Sequence, residues 1–172
     1  LIPLFERIVA ETQPLWFLME NVTAAPVPIV EGYHIINCKI YAWEFGVPQR
    51  RYRRFTFGSK PPLLFFWPRG EKPPKGILTL IATNAKTTRQ RQREVWPTLC
   101  GTNSTQRMRC GERAVRIKGK TTFTLDEYRE GFGLSLDWDA PALLKSAKYK
   151  VLGNGVPVPV AEALARAIRA AR

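Results

Sequence analysis

Three short clusters in this 172-residue chain combine residue types that chemistry uses. The first is Glu20-Asn21-Val22, which follows the apolar run Leu15-Trp16-Phe17-Leu18-Met19. A run of that length without alternation reads as an interior strand buried on both faces. In open α/β sheets ligands bind beyond the carboxyl ends of the strands, so a carboxylate there is placed to meet one. Read as structure alone, Glu20 is a strand-end acid paired to an arginine. The second cluster is Gln49-Arg50-Arg51-Tyr52-Arg53-Arg54. Period-two alternation puts Gln49, Arg51 and Arg53 on one face of an extended segment and Arg50 and Arg54 on the other. Guanidinium forks on one edge suit bidentate contact with phosphate or a carbonyl oxygen. Arg50 and Arg54 read equally well as a solvated basic edge that blunts aggregation. The third, Gly153-Asn154-Gly155-Val156-Pro157, opens the last helix. Its glycines allow close backbone approach and the helix start offers unpaired N–H groups, although a tight turn feeding a helix needs no ligand.

Elements to position these clusters are legible around them. Leu1, Leu4, Phe5, Ile8 and Val9 recur at helical spacing and predict an amphipathic helix over residues 1 to 12, ended by Pro14. Helix, short turn and buried strand form half of a βαβ repeat. Residues 33 to 43 alternate and predict a strand. Residues 51 to 58 predict another, with Arg51, Arg53, Phe55 and Phe57 on one face. Two strands so close in sequence favour an antiparallel pair at the edge of a larger sheet. Prolines 61, 62, 68, 73 and 74 mark a boundary near residues 60 to 76. In residues 121 to 133, Thr124 offers an N-cap, Asp126 and Glu127 fill the first turn and Gly131 a stop. After Pro159, Val160, Leu164, Ala167, Ile168 and Ala171 form the apolar stripe of a final helix. The fold class expected is α/β: part of a doubly wound, Rossmann-like sheet with a small irregular lobe. The division expected is residues 1–60 in the sheet domain, 61–120 in the lobe and 121–172 as a helical return.

Charge narrows the partner. A net charge of +13, from 27 Lys and Arg against 14 Asp and Glu, exceeds what solubility needs and points to a polyanion. Residues 86 to 120 concentrate it, with ten Lys or Arg against Glu94 and Glu112. There Arg89, Arg91, Arg93, Arg107, Arg109 and Arg113 mix with Gln90, Gln92, Asn103, Ser104, Thr105 and Gln106, a composition suited to phosphate anchoring with some base-edge readout. The stretch lacks the apolar periodicity of a membrane-surface helix, and no apolar run approaches the roughly 20 residues of a membrane span. Cys38, Cys100 and Cys110 are too few and too odd in number for a secreted disulfide framework, and they read as ordinary thiols, not as a zinc site with the remote His34. The expected location is therefore cytoplasmic, and no metal is expected.

The order and spacing of the three clusters resemble one family, the C5-cytosine DNA methyltransferases. Phe17-Leu18-Met19-Glu20-Asn21-Val22 resembles its Glu-Asn-Val motif, Gly46-Val47-Pro48-Gln49-Arg50-Arg51-Tyr52-Arg53 its Gln-x-Arg-x-Arg motif, and Gly153-Asn154-Gly155-Val156-Pro157 its last motif. The basic stretch occupies the slot of the family's variable target-recognition region. The resemblance implies that Glu20 holds a flipped cytosine through N3 and its exocyclic amine, Asn21 orders that loop, Arg53 contacts O2, Arg51 binds phosphate or orients the pocket, and Gln49 supports the loop on the DNA side. It implies that Asn154 and Gly155 border S-adenosylmethionine and that double-stranded DNA is the partner. A proton donor at N3 and a cation near O2 favour the charge that builds on the ring when a thiolate adds to C6.

The sequence departs from that family in three places, one of them in residues 124 to 133, which loosely resemble the helix motif before the last one but with a shorter spacing from Glu127 to Gly131. The family's attacking cysteine lies in a Pro-Cys motif upstream of Glu-Asn-Val, and its glycine-rich cofactor loop lies earlier still. None of Cys38, Cys100 or Cys110 follows a proline or precedes Glu20. The expectation is therefore the carboxyl-terminal portion of such an enzyme, inactive alone, with nucleophile and cofactor loop supplied by an amino-terminal half. The competing expectation is a non-catalytic DNA-binding module or a degenerate remnant; a generic RNA-binding protein ranks third, for want of an aromatic single-strand platform.

Overall fold

The computed structural model describes residues 1–71, 98–100 and 124–171. In chain order the elements are α1 (Ile2–Thr12), β1 (Trp16–Val22), β2 (His34–Tyr41), a single 3-10 turn (Ala42–Phe45), β3 (Tyr52–Ser59), α2 (Leu125–Gly131), α3 (Lys145–Asn154) and α4 (Val158–Ala170). They fall into two compact units. The first comprises Leu1–Tyr41, Tyr52–Pro68 and Leu164–Arg172, the second Ala42–Arg51 and Arg69–Ala163.

In the first unit a three-stranded sheet has the order β1-β3-β2, and β3 runs antiparallel to both neighbours. The expected antiparallel pair is β2 with β3. The apolar run that reads as an interior strand is instead an edge of the described sheet: Phe17 and Met19 are buried, whereas Trp16 and Val22 are 44% and 51% exposed. The strand buried on both faces is β3, from Phe55 to Ser59. Thr56 and Ser59 are accordingly buried although polar. Glu20 and Asn21 lie within β1, two residues and one residue before its end at Val22, not after the strand as expected.

α1 ends because Gln13 turns left-handed (φ 46) and its N–H closes onto the Val9 carbonyl at 2.9 Å, just before Pro14. The helix buries Val9 against Phe17 and Val30, with Phe5, Tyr33 and Ile35 packed around them. Phe17 lies over Gly58 so closely that a Cβ there would come within 2.3 Å of its ring. On the opposite face Phe57 stacks between Trp16 (6.4 Å) and Phe65 (4.2 Å), and Trp67 meets Phe65 edge-on.

The second unit packs α2 and α3 around Leu99, Tyr128, Phe132, Tyr149 and Leu152. Thr124 caps α2 as its sequence predicts. Its Oγ1 accepts from Glu127 N–H, and the Glu127 carboxylate accepts from Thr124 N–H at 2.7 Å, a complete capping box. Gly133 leaves the helix with φ 65, and a Cβ there would approach Pro159 Cδ to 2.6 Å, so only glycine fits. α3 has no counterpart in the sequence reading. It also revises the third cluster, whose Gly153 and Asn154 close α3, while Gly155 and Pro157 connect to α4.

Candidate functional site

The ladder between β1 and β3 decides which side chains of the first two clusters share a face. Glu20 stands opposite Phe55, and Val22 opposite Arg53. Directly opposed residues in an antiparallel pair point the same way, so Glu20, Phe55 and Arg53 line one face, with Glu20 and Arg53 on a diagonal. Glu20 Oε1 lies 3.1 Å from Arg53 Nε; the two side chains are 24% and 19% exposed. The contact is an ion pair rather than an aligned hydrogen bond. A second tie fixes the guanidinium, because Arg53 Nη1 donates to the Tyr52 carbonyl at 2.9 Å. This guanidinium and the adjacent carboxylate, both largely withdrawn from water, match the edge of a planar group that presents donors and acceptors side by side.

Asn21, one residue on, shares its row with Arg54 and faces the other side of the sheet. Its Oδ1 accepts from Val22 N–H at 2.8 Å, which orders the strand end locally.

Gln49 and Arg51 belong to the second unit and are buried there, at 0% and 3% exposed. Gln49 Nε2 donates to the Gly131 carbonyl, and its Oε1 accepts from Leu99 N–H at 3.4 Å. Arg51 Nη1 donates to the carbonyls of Leu99 (3.3 Å) and Gly153 (3.0 Å), with its guanidinium 5.4 Å from the centre of the Phe132 ring. Two side chains from one short segment thus tie the 98–100 segment, the end of α2 and the end of α3. No residue type foretells such acceptors, since every residue carries a carbonyl.

At the third cluster, Asn154 is exposed at the last residue of α3. Gly155 caps the helix, its N–H donating to Leu152 O at 2.9 Å, and a Cβ there would lie 3.3 Å from that oxygen. A small exposed amide beside a backbone that glycine keeps close is compatible with the edge of a nucleoside-like ligand. Near Gln49 and Arg51, Tyr128 donates its hydroxyl to the Cys100 carbonyl at 2.8 Å. Burial, then the neighbouring Cys100 and Tyr149, push the Tyr128 phenol up to about 12, and burial likewise raises that of Tyr149.

Arg89, Arg91, Arg93, Arg107, Arg109 and Arg113 lie outside the described residues. Among the described residues no three His, Cys, Asp or Glu side chains come together as a metal site, and no helix is long and apolar enough to cross a membrane.

No family model and no curated protein matches the sequence. Solved structures do resemble the fold. A methyltransferase of Entamoeba histolytica, EhMeth, superposes with a TM-score of 0.58 over 90% of this chain at 15% identity. The Dnmt2 methyltransferase of S. pombe superposes with a TM-score of 0.53 over 88% at 14% identity. This chain spans 62% and 64% of those two proteins' lengths. The likeness shows the fold alone: an α/β chain whose three-stranded sheet and helices superpose on part of those two proteins.

Proposed function

We propose that the chain is the carboxyl-terminal portion of a DNA (cytosine-5-)-methyltransferase. One observation carries this reading: Glu20 and Arg53, from separate strands, stand 3.1 Å apart on one face of the sheet, with both side chains about a fifth exposed and the paired Glu20 oxygen buried. A cytosine presents its amine and N3 on one edge and O2 next to them. The Glu20 carboxyl meets the N3 and amine edge while Arg53 donates to O2, so the pair grips the base and favours negative charge building toward O2. Because a stacked base is out of reach, the cytosine is extruded from the duplex first.

The other side chains serve position. Asn21 holds the end of β1, and Gln49 and Arg51 hold the backbone on which the base-recognition segment and the α3 terminus rest. The basic residues Arg89, Arg91, Arg93, Arg107, Arg109 and Arg113 fit a target-recognition role on double-stranded DNA. Asn154 and Gly155 would border S-adenosylmethionine, which when bound supplies an electrophilic methyl group. The attacking cysteine and the main cofactor loop come from an amino-terminal half, in the same parent chain or a separate polypeptide.

Complementation tests the proposal. The chain is mixed with a matched amino-terminal half of this family and transfer of labelled methyl to cytosine in duplex DNA is measured. Activity in the mixture that neither part shows alone supports the reading; no gain from a correctly matched half overturns it.

A further inference from the structure

The sheet face opposite the Glu20–Arg53 pair carries a second cluster that this reading leaves unused. The register places Asn21, Arg54 and Lys39 in one row across β1, β3 and β2. Two rows along, on the same face, Tyr52 is opposite Tyr41, their rings stacked at 4.0 Å. Lys39 and Arg54 are therefore like charges directly opposed across a ladder, an arrangement that repels unless an anion lies between. Among the described residues neither forms an ion pair. Arg54 gives Nη1 to the Ala25 carbonyl and keeps a solvent-screened Nε with no hydrogen-bond partner among the described residues. Lys39 is exposed.

The packing of α1 does not explain the row. The helix covers the row of Phe17, Gly58 and Ile35. Arg54 lies four residues along β3 from Gly58, about 13 Å at the usual strand rise. An anion with several acceptor oxygens would relieve the repulsion between Lys39 and Arg54. A phosphate oxygen can accept from a single guanidinium N–H and from an ammonium together, without the whole fork. Asn21, whose Oδ1 is occupied by Val22 N–H, leaves its amide nitrogen as a third donor.

We infer that Lys39 and Arg54 form a phosphate site that grips the backbone of duplex DNA, on the face of the sheet away from the base-binding pair. The identity of the phosphate as DNA rests on the function proposed above; the need for an anion rests on the row itself.

The test is the salt dependence of binding of the full chain to a short fluorescent duplex, from about 50 to 200 mM salt. Each phosphate contact contributes roughly 0.9 to the slope of log K against log salt. Lys39→Gln is expected to lower the slope by about that amount while Lys39→Arg retains it. Arg54→Gln should match Lys39→Gln, but it also loses the bond to Ala25, so the exposed Lys39 decides. An unchanged slope in Lys39→Gln together with no saturable binding of inorganic phosphate overturns the site, as does a wild-type chain that binds neither duplex nor inorganic phosphate. Inorganic phosphate at constant ionic strength separates the sources: saturation of the site by free phosphate with no slope change in Lys39→Gln removes the DNA assignment. The two proposals fail separately. A reduced slope without methyl transfer in the complemented enzyme discards the enzymatic reading and keeps the phosphate site; methyl transfer with an unchanged slope and no saturable phosphate binding does the reverse.

Discussion

Arg51 and Gly153 are 102 residues apart in sequence, yet Arg51 Nη1 donates to the Gly153 carbonyl at 3.0 Å inside the second unit. The same nitrogen reaches Leu99 O at 3.3 Å. Substitution of a side chain that satisfies two buried carbonyls leaves both unpaired, at about 1–3 kcal/mol for each group. Arg51→Ala is expected to destabilise the protein by roughly 2–4 kcal/mol, a fall in Tm on the order of 5–10 °C by calorimetry. Arg51→Lys should recover less than half of this, because an ammonium cannot reproduce the planar fork over Phe132. A melting temperature within a degree of wild type for Arg51→Ala would remove the tie from the account of this unit.

Glu20→Gln should behave in the opposite way. The ion pair with Arg53 is partly exposed, so its loss costs under about 1 kcal/mol of stability. Methyl transfer by the complemented enzyme should nonetheless drop about 10²–10³-fold, the size of losing one transition-state contact in a dry pocket. Duplex binding should barely change. Full activity in Glu20→Gln, measured beside an unchanged melting curve, would show that the carboxylate does not touch the reacting base.

How much of this was legible before the structure depends on whether the deciding forces are local. The α1 helix, the β2–β3 pair and the Thr124 cap follow from periodicity and capping chemistry within a few residues, and they stand where the sequence puts them. The proximity of Glu20 and Arg53 needed one long-range fact, the register of β1 on β3. The place of β1 at the edge was not legible, because a strongly apolar run fits an edge or a centre, and strand order is set by which partner it finds. Helix α3 was invisible for a different reason. Its sequence, KSAKYKVLGN, has no amphipathic stripe, Leu144 gives it no side-chain cap, and a glycine sits near its end. It is held by Tyr149 and Leu152 in the core of the second unit.

Thr124→Ala isolates the cap. The substitution removes the oxygen that accepts from Glu127 N–H and leaves the rest of α2 unchanged. The expected loss is about 1 kcal/mol. It should be read by chemical denaturation, with the midpoint falling and the slope of the transition unaltered. An unchanged midpoint would mean that tertiary packing of Tyr128 alone sets the helix start.

Tyr128 makes stability depend on alkaline pH, and the sign follows from its two states. The unfolded phenol ionises near its ordinary value of 10.0, whereas burial pushes the folded one up to about 12. Below pH 10 both states hold the proton and stability does not vary from this group. Between those values the unfolded chain releases its proton first, so the protein loses stability progressively as pH rises from 10 to about 12. Ionisation would also cost the donor that Tyr128 gives the Cys100 carbonyl. Tyr149, raised in the same direction by burial, adds to the slope. Denaturation midpoints measured in steps from pH 9 to 11.5 should therefore fall, and Tyr128→Phe should flatten the fall while starting from a slightly lower midpoint. If the wild type and Tyr128→Phe decline in parallel, the hydroxyl is titrating as if in water and its bond to Cys100 contributes nothing to holding the 98–100 segment on α2.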